Sequence, residues 1–256
     1  MTHSSVSISG VIITYNEEQN IEACINSLRG VVEEVVVVDS YSQDKTPEIC
    51  LRLGVKFLQN PFEGHIEQKN FAMLQASNNI ILSLDADERL SEEMRMSIQA
   101  VKHNWTADGY EFNRFNNYCG KWLRYAWYPD RKLRLWDRRK GSWGGTNPHD
   151  KVILRSGVAI KLKGDILHYA YSNEKEHLIQ IEKFARIAAQ EKFNRHKVVL
   201  YFWHLILNPF YRFISTFLFK AGILDGYYGY RYSRNAAYLN FLKYKYLWQL
   251  KKKDFE

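Results

Sequence analysis

The stretch from Ile80 to Glu88, IILSLDADE, constrains this chain more than any other. A mostly apolar run from Ile80 to Leu84 ends abruptly in three carboxylates, Asp85, Asp87 and Glu88. Such a run suits a strand covered on both faces, as in a parallel sheet. Ligands of open α/β sheets collect beyond the carboxyl ends of the strands, so Asp85 and Asp87 are expected where a ligand binds. Alternate residues of an extended chain point to one side, which would let the two aspartates face one hard cation. The same residues would also suit a solvated turn capping the next helix.

The flanking sequence supplies the rest of a sheet. Ile8, Val11, Ile12 and Ile13 predict a first strand, and Asn16 with Glu17 and Glu18 a helix start leading to Ile21, Cys24, Ile25 and Leu28. Val35 to Val38 predict a β-branched second strand ending at Asp39. Thr46 as N-cap, Pro47 at the first helical position and Gly54 as stop frame the next helix. A strand over 55–58, a helix over 66–76, the strand over 80–84 and a helix from Ser91 to Lys102 follow. This alternation argues a right-handed, mostly parallel α/β sheet, with Asp39 and the Asp85/Asp87 pair at one edge. No Gly-x-Gly-x-x-Gly follows the first strand and no P-loop occurs, which removes support for dinucleotide and P-loop readings. Short strands are expected over 109–115, 132–136, 152–154 and 160–163, completing the sheet, and an amphipathic helix over 174–195.

Hydrophobic residues at 46% and charged residues at 25% exclude wholesale disorder. Three cysteines, Cys24, Cys50 and Cys119, widely spaced, support neither a disulfide framework nor a zinc site. The start shows no secretory signal, and a reducing cytosol is the default. Seventeen Tyr, fourteen Phe and seven Trp crowd toward the second half, where stacking or a membrane interface would use them. Much of the net charge of +8 comes from the basic residues between Lys121 and Lys140 and from the Lys-rich tail. Nucleic acid, anionic lipid and a phosphorylated substrate would all answer to it.

VIITYNE at 11–17, Val38-Asp39-Ser40 through Asp44-Lys45-Thr46, Gln68-Lys69-Asn70, and Leu84-Asp85-Ala86-Asp87-Glu88 resemble, in order, the successive motifs of the family 2 glycosyltransferases. The resemblance covers about residues 7–170 and is similar to the lipopolysaccharide core glucosyltransferase branch in particular. It implies the GT-A nucleotide-diphospho-sugar transferase fold, an α/β fold with a mostly parallel, Rossmann-like sheet. It also implies that Thr14, Tyr15 and Glu17 line a nucleoside pocket, that Asp39 accepts from uracil, and that Lys69 lies near the base or diphosphate. Asp87, and Asp85 directly or through the ribose, would hold Mg2+ or Mn2+ against the diphosphate of a UDP-sugar, an assignment that suits hard oxygen-seeking ions.

An inverting transfer needs a base for the acceptor hydroxyl. The segment from Gly144 to Asp150 resembles the family stretch ending in His-Glu or His-Asp, which makes Asp150 the candidate base; the alternative is a loop carboxylate paired with Arg131 or Lys151. His168, late in the resemblance, is a candidate further metal ligand, with a packed histidine as the alternative. Trp122, Tyr125, Trp127, Tyr128, Trp136 and Trp143 interleave with the basic cluster and are expected to hold a phosphate-bearing sugar acceptor rather than RNA, since no RNP-type signature accompanies them; half-buried aromatics with solvated charges are the alternative for several of them.

The stretch 198–219 is long enough to span a bilayer, but His204, Asn208, Pro209 and Arg212 disfavour a span, and Pro209 is expected to break its helix. Helices lying in the membrane interface, with the Lys-rich tail against anionic lipid, fit better; a helical subdomain packed on the sheet or on a second subunit is the alternative. The expectation is therefore a catalytic domain over 1–170, with a nucleotide half to about 105 and an acceptor half over 106–170, and a C-terminal helical, membrane-associating extension over 171–256. The function expected is transfer of a hexose such as glucose to a lipid-linked glycan such as the lipopolysaccharide core, peripherally on the cytoplasmic face of the inner membrane. A polyprenyl-phosphate acceptor and a non-catalytic nucleotide- or RNA-binding protein are the alternatives.

Overall fold

The computed structural model describes residues 5–147, 149–197 and 199–254. Pro148 of the expected base-bearing segment, Val198 at the head of the apolar stretch, residues 1–4 and the side chain of Lys253 lie outside the described residues. The chain forms two compact units, Met1–Arg114 with Asp130–His168, and Phe115–Pro129 with Tyr169–Glu256. The segment Phe115–Pro129, expected within the acceptor half, thus groups with the helices.

In the first unit β1 (Ile8–Thr14), α1 (Ile21–Leu28), β2 (Glu34–Asp39), α2 (Thr46–Arg52), β3 (Lys56–Gln59), α3 (His65–Gln75) and β4 (Ile80–Asp85) alternate. Then come β5 (Glu88–Leu90), α4 (Glu92–His103), β6 (Gly109–Tyr118), β7 (Lys121–Trp122), β8 (Asp130–Asp137), the hairpin β9 (Gly141–Thr146) and β10 (His149–Leu154), and β11 (Ala159–Tyr171). β7 and the last residues of β6 and β11 belong to the second unit. The sheet order is β3-β2-β1-β4-β8-β6-β11-β5, with β1 to β4 parallel and β8 antiparallel to β4. Successive strands thus lie on opposite sides of β1, which makes the β1/β4 edge a topological switch point. In register, Thr14 faces Asp39 and Ile13 faces Asp85.

Strand alternation buries both faces. Ile8, Ile12, Val37, Leu82 and Leu84 pack with Ile21, Cys24, Ile25 and Leu28 on one side. Val11, Val36, Val38 and Ile81 pack with Ala72 and Met73 of α3 and with Trp136 and Trp143 on the other. Each such side chain contributes about 1.5–3 kcal/mol of burial, which fixes the strands that carry the site.

Two expected caps are used differently. Asn16 adopts a left-handed conformation (φ 55°), its Oδ1 accepts from Gln43 N, and α1 begins only at Ile21. Thr46 is the first residue of α2 rather than its cap, and its hydroxyl accepts from Glu17 N at 2.8 Å, drawn away from its own helix. Ser91 caps α4 as expected, its Oγ accepting from Met94 N.

In the second unit α5 (Glu174–Asn194), α6 (Asn208–Ile214) and α7 (Gly226–Asp254) dominate. Pro209 does not break the chain's helical course. It lies at the start of α6, directly after a π-helical turn at Trp203–Leu207, so the proline is taken up by a local change of hydrogen-bond pattern within a continuing helix. Asp225 is buried, and its carboxylate accepts from the backbone N–H groups of Arg124, Tyr125 and Ala126 at 2.8–3.0 Å, which gives it a structural role. His177 Nδ1 lies 3.0 Å from the Tyr118 hydroxyl and 3.2 Å from Asn235 Nδ2. Among the described residues no helix is long and apolar enough to cross a membrane.

Candidate active site

β4 delivers Asp85 to the switch point, and the chain then turns through Ala86 and Asp87 into β5. Glu88, fully buried, closes that turn: its Oε2 accepts from Asp85 N at 2.9 Å. Its Oε1 receives Arg134 Nη2 at 3.0 Å and Arg114 Nη1 at 3.4 Å. The strand ends at Asp85, so the alternation expected to aim both aspartates at one side stops between them. Asp85 instead faces Lys69 Nζ (2.9 Å) and Arg134 Nη2 (3.1 Å), while Asp87 Oδ2 lies 3.2 Å from His168 Nε2. Burial works against a charge on Asp85, but Lys69 and Arg134 outweigh it and hold its carboxyl well below the usual range.

Three consecutive side chains of α3 hold the site together. Gln68 Nε2 donates to Ser40 Oγ at 3.0 Å. Lys69, buried, bridges Asp85 and Asp150, reaching Asp150 Oδ2 at 2.7 Å, with its ammonium 4.4 Å above the Trp143 ring. Asn70 clamps Trp143 by exchanging two bonds of 3.0 Å with its backbone. Asn147 ties the hairpin to the start of α3, accepting from Ile66 N and donating to Glu67. Asp150 thus sits on a fixed strand, not on a loose loop, and its partner is Lys69 rather than Arg131 or Lys151.

Arg134 carries no warning in the sequence. Tyr110 pairs with Leu135 and Glu111 with Leu133, so Arg134 is the extra residue of a β-bulge. Bulges re-aim side chains, and here the guanidinium joins Asp85 and Glu88, 5.3 Å from the Trp143 ring. Burial opposes the charge on Arg134, yet Glu88 and Asp85 raise its pKa.

At the ends of β1 and β2, Thr14 is buried and Tyr15 is 57% exposed. Asp39 is fully buried and accepts from Ser42 N at 2.9 Å, from the Ser42 hydroxyl and from Gln59 Nε2 at 3.2 Å. Burial, reinforced by the charge of Asp87, pushes the Glu17 carboxyl up to about 7. Glu17 thus lies within electrostatic reach of Asp87.

The Asp87–His168 pair bears on a metal. Adjacent ligands about 2.1 Å from one octahedral ion stand about 3.0 Å apart, so an oxygen and a nitrogen at 3.2 Å fit a shared hard cation. Among the described residues no group of three or more His, Cys, Asp or Glu side chains gathers into a metal cage. One or two protein carboxylates, with substrate phosphates and several waters completing the shell, is the habit of Mg2+ sites.

The interleaved aromatic and basic cluster divides between the two units. Trp136 and Trp143 belong to the core of the first unit, while Trp122, Tyr125, Trp127 and Tyr128 belong to the second unit. Several of its cations are structural: Arg138 donates to the carbonyls of Met73 and Ala76 at the end of α3, Arg139 pairs with Asp137, and Lys140 with Asp108. Arg131, Lys132 and Arg134 remain beside Asp85 and Asp150, lining a cavity of about 500 Å³.

The family model for Glycosyl transferase family 2 matches residues 9–157. An uncharacterized glycosyltransferase of Rickettsia typhi is 28% identical over 92% of this chain and 85% of its own length. The lipopolysaccharide core biosynthesis glycosyltransferase LpsC of Rhizobium meliloti is 28% identical over 84% of this chain and 82% of its own. Among solved structures, the mannosyltransferase PcManGT of Pyrobaculum calidifontis, in complex with GDP-Man and Mn2+, superposes with a TM-score of 0.58 at 18% identity, covering 96% of this chain and 88% of that one. That last likeness is one of fold.

Proposed function

We propose that this chain, which belongs to glycosyl transferase family 2 and has the GT-A fold, moves one sugar from a UDP-linked donor, with inversion, to a lipid-linked glycan such as the core of lipopolysaccharide. The observation that carries this reading is the convergence of Asp85, Lys69 and Asp150 beyond the carboxyl end of β4. Thr14, Tyr15, Glu17 and Asp39 receive the nucleoside at the neighbouring strand ends. Asp87 with His168, and Asp85 directly or through the ribose, would hold Mg2+ or Mn2+. When bound, the ion neutralises the diphosphate as it departs. The Mn2+ and nucleotide sugar bound by the mannosyltransferase, and the name of the Rhizobium relative, support the donor chemistry and the acceptor respectively.

Asp150 is the base. Lys69 holds its Oδ2, and Oδ1 takes the proton of the acceptor hydroxyl. The hydroxyl oxygen bonds to the anomeric carbon from the face opposite the diphosphate, and the electron pair of the broken C–O bond leaves with the diphosphate. Fixed on a strand and clamped to α3, the carboxylate loses little freedom on reaching the reactive geometry.

The sheet-bearing unit is the catalytic one in this reading, and the helical unit attaches peripherally to the cytoplasmic face of the inner membrane. Tyr201, Phe202, Trp203, Phe210, Tyr211 and Phe219 are each more than half exposed on a helical stretch that also carries Arg212 and Lys220. Aromatic faces with neighbouring cations suit the headgroup region of an anionic bilayer.

The test is transfer itself. Labelled UDP-glucose is incubated with the full chain and either lipopolysaccharide truncated in its core or polyprenyl phosphate. Label entering the core glycan, and lost in Asp150→Asn while donor binding persists, is the expected result. Label in polyprenyl phosphate alone would replace the acceptor, and no transfer from UDP, GDP or CDP sugars to either would contradict the reading.

A further inference from the structure

The cavity beside Asp85 and Asp150 has a charge pattern that the transfer chemistry does not use. It is lined by Lys69, Arg114, Arg131, Lys132, Arg134 and Lys151 against Asp85, Glu111 and Asp150. Most of these charges are spent within the protein. Lys69 is shared by Asp85 and Asp150, Arg134 by Asp85 and Glu88, Arg114 by Glu88 and Asp130, and Lys132 pairs with Asp130. Among the described residues no carboxylate lies within 4.0 Å of a charged nitrogen of Arg131 or Lys151, and both are exposed at the cavity. Glu111, half-buried and likewise without an ion-pair partner, faces the same space.

Position argues against the donor as the user of these cations. The nucleotide ends of β1 and β2 lie on one side of β4, whereas β8 and β6, which carry Arg131 and Glu111, lie on the other. Lys151 lines the same cavity as Asp150. A group bound there would reach the base from the acceptor side. Carboxylates such as Glu111 accept from sugar hydroxyls, and a pair of unspent cations recognises an anion.

We propose that this cavity is the acceptor subsite and that the accepting sugar is anionic, its phosphate or carboxylate held by Arg131 and Lys151 while its hydroxyls meet Glu111 and Asp150. This deepens the transferase reading and rests on it. Exposed cations stay hydrated beside a neutral sugar, so the preference arises from the attraction that an anionic acceptor adds.

The test uses the full chain and three probes, mannose 6-phosphate, glucuronate and mannose, titrated calorimetrically with UDP and Mn2+ already bound. At least one anionic sugar is expected to bind roughly tenfold or more tightly than mannose, and the paired substitution Arg131→Glu with Lys151→Glu to remove that advantage while leaving UDP affinity unchanged. Which anion binds tells phosphate from carboxylate. The milder pair Arg131→Gln with Lys151→Gln gives the same direction should charge reversal disturb folding. Equal binding of all three probes, anion binding that survives both paired substitutions, or an equal loss of UDP affinity in them would overturn the proposal. Failure of the wild-type chain to bind UDP would instead strike at the transferase reading, and the two failures are read from separate titrations.

Discussion

Lys69 Nζ donates to Asp150 Oδ2 at 2.7 Å, joining helix α3 to a hairpin strand 81 residues further along the chain. The same ammonium lies 2.9 Å from Asp85, so one buried cation neutralises the candidate base and the end of the central strand together. Lys69→Met keeps the stem and removes the charge. It is expected to lower stability by about 3–5 kcal/mol in a denaturant titration, because two poorly solvated carboxylates are left facing each other. Lys69→Arg is expected to recover part of that loss. A Lys69→Met protein as stable as wild type would mean that the bridge contributes nothing.

Glu88 predicts an effect of a different kind. It is fully buried behind the site, where it closes the Asp85–Asp87 turn and balances Arg134. Glu88→Gln retains an oxygen for Asp85 N but removes the charge, and is expected to cost about 3 kcal/mol of stability. Donor affinity should fall with it, since the turn that places Asp87 loses its anchor. Unchanged affinity in a folded Glu88→Gln protein would remove the positioning role.

Burial holds the pKa of His177 down at about 4 in the folded chain, against 6.5 when unperturbed. Between those values the unfolded chain binds a proton that the folded chain refuses. Stability is therefore complete above pH 6.5 and falls as the pH drops toward 4, by about 1.4 kcal/mol per pH unit. In thermal melts between pH 6.5 and 5, His177→Gln is expected to flatten this dependence, and an unaltered slope would assign it to other groups.

Exposed aromatic residues of the helical unit predict salt-sensitive adsorption to phosphatidylglycerol vesicles in a flotation assay. Phe202→Asp with Phe219→Asp, at positions 64% and 75% exposed, is expected to abolish adsorption without altering UDP binding. Equal flotation of wild type and variant, or none by wild type, would leave the membrane reading without support.

The parallel strands and their acidic ends are legible in the sequence because burial on both faces writes itself as an uninterrupted apolar run, and Asp39 and Asp85 each stand where such a run stops. Arg134 was hidden in a basic cluster because a β-bulge is a property of pairing register between β6 and β8, which no local pattern encodes. Glu88 is legible only as a third carboxylate with no role; its burial follows from β5 pairing with β11, about eighty residues away. The aromatic cluster from Trp122 to Trp143 suggested one face, yet the chain passes from one unit to the other within it. Thr46 has the local chemistry of a helix cap and serves a distant amide instead, a tertiary override of the kind local propensity does not foresee.

A cation-dependent nucleotide-sugar site at the carboxyl edge of β4 is tested by calorimetric titration of UDP-glucose into the full chain with and without Mn2+. Mn2+ is expected to strengthen binding roughly tenfold or more, and Asp87→Ala to render it indifferent to the ion. Affinity that is the same with and without Mn2+, or the same Mn2+ dependence in Asp87→Ala, would contradict it.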